Sequence, residues 1–480
     1  MYRRFIFLLL PCLFLLGCKK ETTHSVDNDG GFPLKEISLA EALQSGADLK
    51  YCGQREYLGF EKTWYIDDST IPKKEVKNYP RLNGPKPLYG SIKFDHNFLK
   101  PESGIEYFFT LDSRGNDGYD RLFFDANRDL DLTNDPPIGL NKEPWPAGLW
   151  TNSSNKGRVF EELSVPMDFG PGYGVRPVKA LPLLFINKDV SGKDVSATII
   201  FAALSFRAGR IKIGNKDFDA VIAQANWING RFDRPHTNLY LMTPGEKEPL
   251  EYWNGSDELG AYRYVDGKYY TLITTPMGDK LFVKPYAMDL GTFKPGPGAR
   301  DIKESTVAGS LYSPEHSVAI GYIKDVNPEP VTEWQVPVGD YIVDYTKINY
   351  GPLRIKISDN YHSDGKRRDM NRQRHFTIQI RKDKPFVLDF SNKPEIMFAS
   401  PAKDIIFKPG DEVEVNAVLI DPVLDIMIRN LDDTRQKVKQ EIDLGDGKKE
   451  TREKDKSLDP VVTIADSSGK TVAEGPMPFG

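Results

Sequence analysis

Cysteine is nearly absent from this 480-residue chain: there are three, and Cys12 and Cys18 both fall at the extreme amino terminus. Cys52 alone is left for the body, and one thiol cannot close an internal disulfide. With no histidine near it in sequence, a small buried hydrophobe is a plainer role for Cys52 than a nucleophile. The six histidines (His24, His96, His236, His316, His362, His375) are scattered, with no two at metal-ligand spacing. There is no excess of positive charge: the formal net charge of −5 argues against a nucleic-acid binder, which carries a basic footprint. Past residue 16 no apolar run approaches membrane-spanning length, and the mean hydropathy is −0.47. The sequence contains no G-x-S-x-G elbow, H-E-x-x-H, Walker loop or paired C-x-x-C. Carboxylates are plentiful, however, and a glycosidase-like acid pair stays open because its separation is a property of the fold.

What is present begins at the amino terminus. Arg3 and Arg4 precede an apolar stretch, Phe5 to Leu16, broken only by Pro11. That stretch is too short to span a hydrocarbon core of about 30 Å comfortably, and it suits the h-region of a signal peptide. It ends in Leu15-Leu16-Gly17-Cys18, which resembles the lipobox of bacterial lipoproteins. The resemblance implies a diacylglyceryl group on the Cys18 thiol and cleavage before it. Lys19 is not the aspartate that retains such proteins at the inner membrane, so the resemblance implies an outer-membrane address. The polar stretch from Lys19 to about Gly31 reads as a flexible tether.

Beyond the tether the periodicity is that of strands and turns. One short helix is expected at Ser38-Leu39-Ala40-Glu41, a capping-box pattern, with Gly46 as its stop. Tyr262 to Val265, Asp266-Gly267 and Lys268 to Ile273 make a hairpin signal, because both turn residues tolerate positive φ. Ala197 to Leu204 is a continuously apolar run, as in a buried strand. Val307 to Tyr312, Ser317 to Ile323, Trp334 to Val338 and Asp340 to Tyr345 are short strands at sandwich spacing. The charge-dense stretch Leu431 to Leu458 is either a solvated hairpin around Gly445-Asp446-Gly447 or a disordered loop. The expected fold is mainly β and multidomain: antiparallel β meander units followed by immunoglobulin-like β-sandwich domains, with few short helices. The expected partition is a signal peptide at 1–17, a tether at 18–36 and β units at 37–150 and 151–300. A β-sandwich at 301–392 and an immunoglobulin-like unit with a charged insertion at 393–480 complete it.

One constellation carries chemistry. In residues 123–137, FFDANRDLDLTNDPP, Asp125, Asn127, Asp129 and Asp131 alternate and Asp135 follows. Oxygen ligands at alternate positions of a tight loop are what a hard cation such as Ca²⁺ wants, and clustered carboxylates without a cation repel. The run resembles an EF-hand-type loop, with Leu132 at the apolar position where such loops pair. It departs from that pattern at Leu130, where the sharp-turn glycine belongs, and at Pro136, where the bidentate acid belongs. The other reading is an acidic, solvated turn between strands. A looser echo runs from Gln224 to Asp233, with most acids gone.

Lipobox, acidic loop after a short strand, β meander and the ending DPVVTIADSSGKTVAEGPMPFG together resemble uncharacterised bacterial lipoproteins. The likeness implies architecture and carries over no catalytic residue. The functional expectation is a lipid-anchored envelope protein, bound to membrane through Cys18. Its role is expected to be non-enzymatic binding or structure, with a structural Ca²⁺ loop. The alternative is a secreted hydrolase acting on carbohydrate or peptide.

Overall fold

A computed structural model describes residues 29–38, 41, 71–95, 104–114, 118–142, 158–188, 194–224, 230–234, 237–245, 258–295, 305–313, 316–321, 333–358, 377–389, 394–401, 405–408, 410–443 and 449–477. The described residues form thirty strands in several sheets, the mainly β architecture that the alternating pattern implies.

The chain enters the fold soon after the expected lipidation site. β1 (Phe32–Pro33) pairs antiparallel with the strand Lys280–Pro285, and β2 (Lys35–Ser38) with the strand Ser205–Ile213. Part of the stretch that reads as tether in sequence is thus a clasp across two sheets. Ion pairs of Asp29 with Lys280 (2.8 Å) and Glu36 with Arg207 (3.0 Å) hold it. Gly209 permits the crossing, since a Cβ there would stand 2.7 Å from the carbonyl oxygen of Pro33. Ser38 and Glu41 make the reciprocal bonds of the capping box, Ser38 N to Glu41 Oε2 at 2.9 Å and Glu41 N to Ser38 Oγ at 3.2 Å. The rest of that turn lies outside the described residues, as do Cys18 and Cys52.

Four antiparallel strands in chain order carry the acidic loop: β3 (Leu88–Phe94), β4 (Ile105–Asp112), β5 (Arg121–Phe124) and β6 (Ile138–Gly139). Period-two alternation sends Tyr107, Phe109, Leu111, Leu122 and Phe124 to the inner face. There they meet Val165, Met167, Leu184 and Phe201 of a second four-stranded sheet, built from 158–159, 163–168, 175–188 and 194–203. Neither sheet could bury its apolar face alone, so one core joins residues on either side of position 150. Gly90 lies opposite Phe109 in register, and a Cβ there would meet the ring at 2.3 Å. The outer face of β4 and β5 is covered too: Phe108 and Phe123 pack with Val76 and Leu132, and with Tyr79, Leu82 and Leu130.

Downstream, a thirteen-stranded sheet runs from β1 to the strand Glu395–Ser400. Its hairpin 261–274 turns at Asp266 (φ 50°) and Gly267 (φ 78°), the positive-φ pair that the sequence signals. Residues Ile426–Asp443 and Lys449–Ser457 pair as an antiparallel ribbon, the strand pairing of the first of the two readings; the turn at Gly445-Asp446-Gly447 lies outside the described residues. Opposite charges face each other along this ribbon, as in Lys437↔Asp455 and Lys439↔Glu453. The closing strands Val461–Ala465 and Thr471–Pro476 pair with each other as a two-stranded sheet.

Candidate cation loop

The acidic run is the connection between β5 and β6. It starts inside the fold: Asp125 follows directly on the buried Phe124, its amide donates to Phe108 O (2.9 Å), and its side chain is 0 % exposed. Asp125 Oδ2 accepts the amide of Leu130 across the turn at 3.1 Å. Three tighter turns follow, each carboxylate or amide oxygen accepting the backbone N–H two residues on. They are Asn127 Oδ1 from Asp129 N (3.0 Å), Asp129 Oδ1 from Asp131 N (2.8 Å) and Asp131 Oδ1 from Thr133 N (2.9 Å). Leu130, where an EF-hand-type loop has glycine, adopts φ 66°, and Arg128 adopts φ 61°. The backbone therefore makes the sharp turn although a branched side chain disfavours it.

The polar atoms of the loop are unequally provided for. Asp129 Oδ2 accepts from Asn127 Nδ2 (3.1 Å) and Asn134 Nδ2 (2.6 Å), and Asp131 Oδ2 accepts from Asn78 Nδ2 (2.8 Å). By contrast, Asp125 Oδ1 and Asp135 Oδ2 are buried with no hydrogen-bond partner. Burial, then the neighbouring charges of Asp125 and Asp129, push the Asp135 carboxyl up to about 6 from its ordinary 3.8. Two buried, unsatisfied carboxylate oxygens in a mutually repelling cluster are costly, and a cation between them would relieve both terms. Among the described residues no three His, Cys, Asp or Glu side chains converge as a ready-made metal site. A cation here would therefore draw Asn127, backbone carbonyls or water into its shell beside Asp125, Asp129 and Asp135. Asp131 has both oxygens engaged, Oδ1 by Thr133 within the loop and Oδ2 by Asn78 outside it.

Two neighbours of the loop carry no signal in the local sequence. Lys77 and Asn78 come from the chain before β3: Lys77 N donates to Leu130 O (2.8 Å), and Leu132 N donates to Asn78 O (3.0 Å). The loop thus pairs with an upstream segment through the isolated parallel bridge Asn78↔Asp131, to which the amide of Leu132, the position where such loops pair, contributes its bond. Asp112, opposite Arg121 at the far end of β4 and β5, anchors the same segment by accepting Gly84 N (2.8 Å) and Asn83 N (3.0 Å). It also accepts Arg121 Nη2. Burial works to raise the Asp112 carboxyl, but these amides and the guanidinium outweigh it and hold the group below its ordinary 3.8.

The echo at 224–233 is arranged differently. Gln224 Oε1 accepts Gly230 N at 3.0 Å, and Asp233 is bound by Arg231 Nη2 at 2.7 Å, while residues 225–229 lie outside the described residues. Of the histidines only His316 is described, with Nε2 3.3 Å from Tyr341 Oη and its ring against Tyr262. In comparisons with known proteins, no family model, no curated protein and no solved structure matches this chain.

Proposed function

We propose that this chain is a lipid-anchored envelope protein whose acidic loop holds a structural Ca²⁺, with binding or scaffolding rather than catalysis as its role. The observation that carries the cation reading is the pair of buried, partnerless oxygens on Asp125 and Asp135, beside the acids that raise the Asp135 carboxyl. A carboxylate oxygen kept from water without a donor loses its solvation, and a hard cation is the partner that replaces it best. Asp125, Asp129 and Asp135 would supply charge, Asn127 a neutral oxygen, and Asp131 would orient the loop from outside. The chemistry supplied is cross-linking of a β-hairpin connection, not activation of water.

The anchor reading rests on the Arg3-Arg4, Phe5–Leu16 and Leu15-Leu16-Gly17-Cys18 sequence. Asp29, the first described residue, is bonded to Lys280, eleven residues after Cys18. A fully extended chain of that length reaches about 40 Å at most. A lipidated Cys18 would therefore keep the clasped β domains close to the membrane surface. Calorimetric titration with CaCl₂ tests the cation reading: wild type should bind one ion, and Asp125→Asn should abolish the heat. Heat retained unchanged in the variant would place the ion elsewhere.

A further inference from the structure

The segment 76–84 lies across the outer face of the site-bearing sheet as a strap. Val76 is 7 % exposed there and packs with Phe108, Phe123 and Leu132, while Tyr79 meets Tyr89 edge-on at 5.0 Å. Its two ends are held by different chemistry. The Asn83–Gly84 end is bound by the buried Asp112 carboxylate, which is already paired with Arg121. At the Lys77–Asn78 end, beside the packing of Val76, the hydrogen bonds among the described residues run to the acidic loop. Besides the two backbone bonds at Leu130 and Leu132, Asn78 Nδ2 donates to Asp131 Oδ2 and Lys77 Nζ donates to Asp129 O (3.1 Å).

We propose that the acidic loop is a cation-dependent latch, closing the 77–78 end of the strap over Phe108 and Phe123 when the ion is bound. The proposal rests on the cation reading and adds what the ion controls. Every loop atom that grips the strap (Leu130 O, Leu132 N, Asp129 O and Asp131 Oδ2) belongs to residues between Asp125 and Asp135, whose buried oxygens lack partners. Without a cation, mutual repulsion of the carboxylates opposes the one loop conformation that presents these atoms together. Bound Ca²⁺ would fix that conformation, and the strap bonds come with it. Because linkage is reciprocal, docking of the strap must strengthen cation binding by the factor with which the cation strengthens docking. The cost of opening is also local: Val76, Phe108 and Phe123 form a small cluster apart from the main cores, so this end can lift while the Asp112 end stays bound.

Hydrogen–deuterium exchange on the full chain in mild detergent, with 5 mM CaCl₂ or with EDTA, tests the latch. Calcium should slow exchange about 5-fold or more both in 125–137 and in 71–82, the low end of ordinary coupling, and leave the distant strand Gly339–Tyr350 unchanged. Asn78→Ala, a change at an exposed side chain, should weaken calcium binding several-fold in calorimetry and reduce the calcium-dependent protection of 71–82. Protection of 125–137 with identical exchange of 71–82 in both buffers would overturn the latch and leave the cation site standing. If neither segment responds and no heat of binding is seen, the cation reading itself falls, and the latch with it.

Discussion

Replacing Asp112 by alanine should be among the most damaging single changes near the loop. The carboxylate is 0 % exposed and meets Arg121, whose side chain keeps only 12 % of its surface in solvent. Removing one partner of a buried pair costs about 3–5 kcal/mol, because the other charge is left without compensation. The residual exposure of Arg121 puts the expected loss near the lower end, about 3 kcal/mol. The amides of Asn83 and Gly84 also lose their acceptor, but both residues reach solvent, and water can replace much of that bond. Urea unfolding of the chain from Lys19 onward, followed by circular dichroism, gives the loss directly. A second variant separates charge from packing: Asp112→Ala combined with Arg121→Met should recover part of the stability, since no cation is then stranded. The pH dependence has a definite sign. A carboxyl held below its ordinary 3.8 contributes stability above that pH and loses it as pH falls through the lower folded value. The gap between wild type and Asp112→Ala should therefore narrow below about pH 4. A loss under 1 kcal/mol at pH 7, or a double variant less stable than Asp112→Ala, would refute this assignment.

Further expectations concern the loop, the anchor and the inner core. Asp135→Asn should stabilise the cation-free protein at pH 7.5 in EDTA. The linkage from 3.8 to about 6 is worth about 3 kcal/mol, reduced to about 1–2 by solvent screening at a partly exposed group. Wild type without cation should lose stability as pH rises from about 4 to 6, because the folded state holds that proton more tightly, and the variant should not; melting curves across this range check both points. Gly90→Ala should cost about 1–3 kcal/mol by driving a methyl into the Phe109 ring, read as a lowered urea midpoint with unchanged slope. Cys18→Ser should abolish labelling by a palmitate analogue in cells and leave an unprocessed precursor; a labelled variant would end the anchor reading.

Local pattern predicts local structure well in this chain. The 262–273 hairpin is legible because Asp266-Gly267 suits a turn with two positive φ values, and the Ser38/Glu41 bonds are legible because a capping box lies within four residues. The charged ribbon is legible only as one of two readings, since which charges face each other across it depends on the register. Nothing local marks the clasp at 32–38, where polar-flanked residues are recruited by strands some 170 and 250 positions away. The acidic loop is visible as a set of ligand types, but not the division among them. That Asp125 and Asp135 each keep one buried oxygen without a partner while Asp131 Oδ2 goes to Asn78 depends on burial after β5 and on Asn78, 53 residues upstream of Asp131. For the same reason Asp112 passes in sequence for an ordinary strand-end acid, its significance appearing only when Asn83, Gly84 and Arg121 surround it.

The cation loop is tested most directly by thermal unfolding of the mature chain in excess EDTA and in 10 mM CaCl₂, for wild type and for Asp125→Ala/Asp129→Ala. A loop without the turn glycine and the terminal bidentate acid should bind weakly, with a dissociation constant of about 10⁻⁴ to 10⁻³ M. At 10 mM free calcium that gives about 1.4–2.7 kcal/mol of stabilisation by mass action. Wild type should melt several degrees higher in calcium, and the double variant should melt at one temperature in both buffers. Identical wild-type midpoints in calcium and EDTA would contradict the account, and the run from Asp125 to Asp135 would be an acidic turn with no ion to hold.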